Sequence, residues 1–248
     1  MTESIAGWFK HLHERTGINL TVFYDAFDAA RFVAGVATTI ELALICVILS
    51  LVIGLGGVIV QGSRSRLLKA VVNAYIQFFR NTPSLIQLYF FYFGLGPLIA
   101  LPNASGQSVP LVSNFAWAAI CFSIYAGAFN IEIFRAGVEA VSRSTVEAAE
   151  ALGYTRLKSY IHVILPLAFR YSFPAFSNNM VNLTKLTSVS YAIAVPEILY
   201  ASSQIWSDAL NVPEMMNIVL VSYVLIVSVF VYAMGRIERA LRLPGVGI

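Results

Sequence analysis

Charge is what this chain has least of. Charged residues fill 12% of its 248 positions, against about a quarter in soluble proteins, while hydrophobic residues reach 58% and mean hydropathy +0.75. No stretch is both long and polar enough to form an independent soluble domain. Only two cysteines occur, Cys46 and Cys121, both inside apolar runs, which argues against a disulfide framework and for inert buried thiols. No G-x-x-x-x-G-K-[ST] phosphate loop is present, so the chain does not bind ATP by that device. No cluster of histidine, cysteine and carboxylate has metal spacing, and no nucleophile–base pair stands out. Neither a metal, a cofactor nor catalysis is therefore expected, and His11 and His13 are read as parts of an interfacial segment. A signal peptide is not expected: the first apolar run begins after residue 30 and lacks a small-residue cleavage site. The net charge of +3 makes no case for nucleic acid.

What remains is hydrophobic length. A membrane-crossing helix needs about 20 apolar residues. Five segments meet that need: about Ile40–Val60 with a run-up from Phe32, a span within Ala70–Leu101, Phe115–Phe134, Phe169–Ala192 and Ile218–Met234. The second stretch is too long for one straight span and is broken at Pro83. An amphipathic elbow over about Leu67–Phe79 is predicted to lead into a span from Pro83, because Arg80-Asn81-Thr82-Pro83 makes a poor turn in lipid. The expected organisation is an external segment over residues 1–31, a transmembrane domain over 32–241 with a loop at 139–166, and a tail over 242–248.

Basic residues set the sidedness. Arg64, Arg66 and Lys69 follow the first span; Arg135, Arg143, Arg156, Lys158 and Arg170 flank the loop after the third; Arg236, Arg239 and Arg242 follow the fifth. The opposite loops lack that excess, residues 97–114 being uncharged and 194–214 holding Glu197, Asp208 and Glu214. The positive-inside rule places the N-terminus outside and both the 139–166 loop and the C-terminus in the cytoplasm.

Several polar side chains fall at membrane depth, where a charge costs about 2.5–3.5 kcal/mol unless it faces protein or a wet cavity. Tyr171, Asn178, Asn182 and Lys185 lie on one helical stripe beside Pro174. They suit either hydrogen bonding between helices with a snorkelling lysine, or a polar solute path. Asn73, Gln77, Arg80, Ser84 and Gln87 share a face if the helix runs straight through Pro83. Arg80 reads as an anchor at the cytoplasmic surface or a path residue, and Gln87, deeper, as a cavity residue. Ser123, Gly127 and Asn130 form a small-polar stripe suited to close packing. Glu132 and Arg135 read as an i,i+3 pair, and Glu41 as an outer-interface acid.

The polar loop itself, SRSTVEAAEALGYTRLKSYIHVILP, is a helix–turn–helix. Ser144 and Glu147 have capping-box spacing, Gly153 is placed to end the first helix in the left-handed conformation, and Pro166 to stop the second. Glu147-Ala148-Ala149, Gly153 and Val163-x-Leu165-Pro166 resemble the EAA loop of importer permeases in the ATP-binding-cassette (ABC) transporter family, with valine where isoleucine is usual. The resemblance runs nearly end to end and points to the polar amino acid uptake branch. Gly35-x-x-x-Thr39-x-x-Leu42-Ala43 opens the first span in that style. Phe79-Arg80-Asn81-Thr82-Pro83, Gln87 and the aromatic run Tyr89-Phe90-Phe91-Tyr92-Phe93-Gly94 match its second-span signature. Phe134-Arg135-Ala136-Gly137, Leu183-Thr184-Lys185-Leu186-Thr187-Ser188 and Glu197-Ile198-Leu199 follow in order.

This resemblance implies an all-α, multi-pass permease of the type I importer fold in a bacterial plasma membrane. It implies a second permease copy or paralogue, two partner ATPase subunits that dock on Glu147, Ala148, Ala149, Gly153, Leu165 and Pro166, and an external solute-binding protein. The subunit moves a small polar solute and is not itself an enzyme. Leu186 stands where many relatives carry a polar or acidic residue, which disfavours cationic solutes; Lys185 and Arg80 favour one bearing a carboxylate. A self-sufficient secondary transporter or channel is the alternative, with Lys185 and Glu41 as coupling groups. Inverted repeats with paired broken helices are expected there and are not visible.

Overall fold

A computed structural model describes residues 2–102 and 108–241, so the tail expected over 242–248, with Arg242, lies outside the described residues. The described residues are mostly helical: α1 (Thr2–Thr16), α2 (Ala26–Gly62), α3 (Arg66–Asn81), α4 (Ser84–Tyr89), α5 (Asn114–Glu139), α6 (Arg143–Ala151), α7 (Arg156–Ser159), α8 (Leu165–Leu186), α9 (Ile198–Ala209) and α10 (Val212–Leu241). α4 continues through a π turn, Phe90–Leu95, and a 3-10 turn, Gly96–Ile99. Two short strands, β1 (Leu101–Pro102) and β2 (Ser108–Val109), pair antiparallel.

Among the described residues three helices, α2, α5 and α10, are long and apolar enough to cross a membrane. The other two expected spans fall short for different reasons. The apolar stretch Ser84–Ile99 is short, and α8 is diluted by Asn178, Asn179, Asn182 and Lys185. α2 starts at Ala26, earlier than the run-up expected from Phe32, because Asp25 accepts the N–H groups of Phe27 and Asp28 at 2.9 Å and starts the helix there.

The break before Pro83 is real. Thr82 is extended (φ −116°, ψ 144°), so α3 ends there and α4 starts anew. The Pro83 ring disfavours helical backbone in the residue before it, and at Thr82 that preference prevails. The elbow expected over Leu67–Phe79 is present as α3. The continuous polar face expected for Asn73, Gln77, Arg80, Ser84 and Gln87 is not: extended backbone at Thr82 destroys the common helical register.

The residues divide into two compact units. One holds Met1–Ile45, Leu85–Cys121 and Thr184–Ser228; the other holds Cys46–Ser84, Phe122–Leu183 and Val229–Ile248. The first has its core at Leu42, Leu88, Trp117, Ile198, Ile205 and Met215. The second buries Ile76, Phe122, Ile131, Phe134, Phe176 and Met180, with Phe134 and Phe176 stacked at 5.5 Å. Glycine permits a close helix crossing in the second unit. A Cβ on Gly54 would stand 2.5 Å from the Cβ of Asn130, so α2 and α5 approach there with no intervening side chain.

Candidate functional site

α6, α7 and the turn between them form a hairpin whose ends are tied by its own side chains. α6 starts at Ser142, not Ser144: the Ser142 hydroxyl accepts the Thr145 N–H at 3.3 Å and lies 2.6 Å from the Thr145 hydroxyl. Ser144 falls inside the first turn, so the expected capping box with Glu147 does not form. Glu147 instead faces Arg143 at 3.9 Å, an exposed i,i+4 pair of small energetic weight.

The other end is a Schellman motif. Gly153 takes φ +86°, its N–H donates to Glu150 O at 2.9 Å, and the Tyr154 N–H reaches back to Ala149 O at 3.1 Å. Thr155 then caps α7 by accepting the Lys158 N–H at 3.4 Å. Pro166 does not stop the second helix. A π turn at Tyr160–Ile164, closed by the Leu165 N–H on Tyr160 O, precedes it, and the backbone runs on into α8. A proline ring inside an α-helix clashes with the carbonyl four residues back; the wider turn relieves that clash.

Glu147, Ala148, Gly153, Leu165 and Pro166 are exposed and Ala149 is buried beneath them. Around them Leu152 and Leu157 stand 80% and 68% exposed, with Tyr154, Tyr160 and Ile161 also open. Apolar surface of this extent on a polar hairpin marks it as a candidate interaction site.

The root of the hairpin is a tight crossing. A Cβ at Gly137 on α5 would stand 2.5 Å from the Ala168 carbonyl oxygen and 2.8 Å from the Ser172 Cβ on α8. Beside it opens a cleft of about 360 Å³, lined by Glu132, Arg135, Gly137, Tyr171, Ser172 and small neighbours. α5 and α8 thus hold the hairpin with backbone against backbone.

Arg80 is not a free cation. Its guanidinium pairs with Glu132 of α5 and lies 5.2 Å from the Phe129 ring centroid. The expected Glu132–Arg135 pair is replaced: Arg135 faces Glu139 at 3.9 Å instead. The competing contact is tertiary, from a helix 52 positions away, and local spacing could not show it. Gln87 is buried on α4. On α8, Asn178, Asn182 and Lys185 are exposed and Tyr171 is half-buried. The helix is continuous through Pro174, so Tyr171, Asn178 and Asn182 share one face of it.

Sequence reasoning missed a further cluster. Glu197 is fully buried and caps α9, accepting the N–H groups of Leu199 and Tyr200 at 2.9 Å and the Tyr223 hydroxyl at 2.6 Å. Burial pushes its carboxyl above the usual range, while these three donors pull it back. Thr39 accepts the Ile198 N–H at 3.1 Å, and a Cβ on Gly35 would meet Ala201 at 2.8 Å and Glu197 O at 3.1 Å. The segments Gly35-x-x-x-Thr39 and Glu197-Ile198-Leu199 therefore meet in space. The available signal was an acid directly before an apolar helix, an N-cap position. Glu197→Ala removes the acceptor of the part-buried Leu199 and Tyr200 N–H groups and one partner of the Tyr223 hydroxyl, and should lower stability by about 1–3 kcal/mol. Thermal unfolding in detergent would read this, and Glu197→Gln should recover part of it.

Comparison with known proteins agrees with this geometry. Residues 53–243 match the family model described as binding-protein-dependent transport system inner membrane component. The chain is 27% identical over 224 residues to the probable glutamine ABC transporter permease protein GlnM of Bacillus subtilis, covering 90% of this chain and 98% of that protein. It is 30% identical over 200 residues to the octopine transport system permease protein OccM of Rhizobium radiobacter, covering 79% and 80%. It is 26% identical over 217 residues to the glutamate/aspartate import permease protein GltJ of Escherichia coli, covering 86% and 87%. Among solved structures, an amino acid ABC transporter superposes with TM-score 0.76 at 26% identity, over 86% of this chain and 94% of that one. The inward-facing MetNI methionine ABC transporter shares the fold, with TM-score 0.66 at 22% identity, over 86% and 96%. This mostly helical membrane chain with an exposed, doubly capped hairpin, matched along most of its length, belongs to the inner-membrane components of binding-protein-dependent transport systems, the permease subunits of ABC importers.

Proposed function

We propose that this subunit imports a polar amino acid or related small solute, handed over by an external binding protein and driven through residues 142–166 by partner ATPase subunits. The observation that carries the reading is the hairpin: capped at both helices, held at its root by Gly137, and rich in uncovered leucine and tyrosine. Glu147, Ala148, Ala149, Gly153, Leu165 and Pro166 form or underlie the surface offered to the ATPase. ATP hydrolysis is assigned to that partner, because this chain has no phosphate loop. ATP binding by the partner favours an outward-facing state and hydrolysis restores the inward one, a shift between two populations. A second permease copy or paralogue completes the pathway. Basic residues at 135–170 and 236–242 support an orientation with the hairpin and C-terminus in the cytoplasm and the N-terminus outside the plasma membrane.

Relatives named for glutamine, glutamate/aspartate and octopine support this solute class. With Arg80 neutralised by Glu132, Lys185 is the cation left on the α8 stripe to meet a carboxylate. A charged hydrogen bond is worth about 1.5–3 kcal/mol. Lys185→Met should therefore raise KM for uptake roughly 10- to 100-fold, and Asn182→Ala roughly fivefold. Uptake into proteoliposomes with the partner ATPases and binding protein would measure both. Unchanged kinetics in the two variants would reduce the stripe to helix packing. Uptake without any ATPase would instead support a secondary transporter.

A further inference from the structure

We propose that α3 and the turn before it form a surface for anionic phospholipid headgroups. Two independent features of this segment point to it, one of shape and one of charge.

α3 is held along one side and open along the other. On the held side, Ile76 is buried, the Asn73 side chain accepts from Gln61 of α2 at 3.0 Å, the Tyr75 hydroxyl donates to Ile124 O of α5, and Arg80 pairs with Glu132. On the open side, Leu67, Val71 and Phe78 recur at helical spacing and are 75%, 59% and 55% exposed. A helix fixed in this way, with an apolar face uncovered by its own chain, lies in a membrane interface with that face among the acyl chains.

The charge next to that face is of one sign. Arg64 and Arg66 are exposed and Lys69 is half-buried. Among the described residues none of the three makes an ion pair. The sequence offers them no local counter-ion, because no aspartate or glutamate occurs between Glu41 and Glu132. Every other loop basic cluster in the described residues has acids close by, such as Glu139, Glu147 and Glu150 around the hairpin. Three unpaired cations beside an exposed apolar helix face complement a lipid carrying both a negative headgroup and acyl chains. On the orientation proposed above, the surface faces the inner leaflet; the lipid contact itself does not depend on the hairpin or on any ATPase.

Native mass spectrometry of the purified full-length chain, titrated with phosphatidylglycerol and phosphatidylcholine of identical acyl chains, tests the proposal. The expected result is phosphatidylglycerol bound up to about a hundredfold more tightly than phosphatidylcholine at low salt. Neutralising cations should cost roughly fivefold each at low salt, so R64Q/R66Q/K69Q should bind the two lipids alike. R64K/R66K, which keeps the charge, should retain the preference and shows that the surface tolerates substitution. Equal occupancy by the two lipids in the unmodified chain, or an undiminished preference in R64Q/R66Q/K69Q, would overturn it.

Discussion

Gly153→Asp abolishes most ATP-driven uptake, by roughly tenfold or more, while leaving the subunit folded. Gly153 takes φ +86°, which only glycine adopts freely, so any side chain there strains the turn by about 1–2 kcal/mol. That cost bends the hairpin without unfolding the membrane helices. A Cβ at this position meets nothing within 4 Å, so the carboxylate projects outward, into the space that the proposed partner would fill. An unpaired charge buried at such a contact costs several kcal/mol, and a few of these suffice for the predicted loss. Gly153→Ala adds the strain without the charge and should fall between. The check is uptake and ATPase activity in proteoliposomes, with solute binding measured alongside. Preserved uptake in Gly153→Asp would count heavily against the hairpin as the coupling element.

Gly137→Val has a different signature: it should lose uptake and stability together. The new Cβ would stand 2.5 Å from a backbone oxygen, Ala168 O, which cannot rotate away as a side chain can. Overpacking costs about 1–3 kcal/mol, and the upper end applies where backbone must move. α5 and α8 would separate at the root of the hairpin, so the unfolding temperature falls and any remaining folded protein couples poorly. Gly57→Ala is the informative comparison. There the obstacles are side-chain atoms, Ile131 Cδ1 at 2.2 Å and Cγ1 at 2.4 Å, and the added group is smaller, so repacking without backbone movement should make the loss smaller. Equal losses in the two variants would show that the close crossing at Gly137 has no special weight.

Much of the fold could be read from the sequence because its cues are local. Proline at 83 disfavours helix at Thr82, glycine at 153 permits the reversal, and the apolar runs at 40–60, 115–134 and 218–234 fall in helices long and apolar enough to cross a membrane. The errors share one cause, competition between a local rule and a better partner. Ser142, Ser144 and Thr145 all offer a capping hydroxyl within four positions, and spacing alone cannot say which wins. Pro166 reads as a helix stop unless a π turn precedes it, and no residue type announces such a turn. Glu132 chose Arg80 over Arg135 because the guanidinium also gains the Phe129 ring. Glu197 and Tyr223 lie 26 positions apart, and only the packing of α9 and α10 brings them together. The α8 stripe was legible as a pattern, since one continuous helix fixes its register. What it touches was not, because that depends on neighbours the sequence of this chain does not contain.

Covalent capture decides the matter most directly. A photo-crosslinking amino acid at Leu152, 80% exposed at the tip of α6, should join in native membranes to a protein carrying a G-x-x-x-x-G-K-[ST] phosphate loop. The yield should drop in the presence of Gly153→Asp. Capture of an external solute-binding protein or of lipid from that position, with no phosphate-loop ATPase joined, would contradict the account.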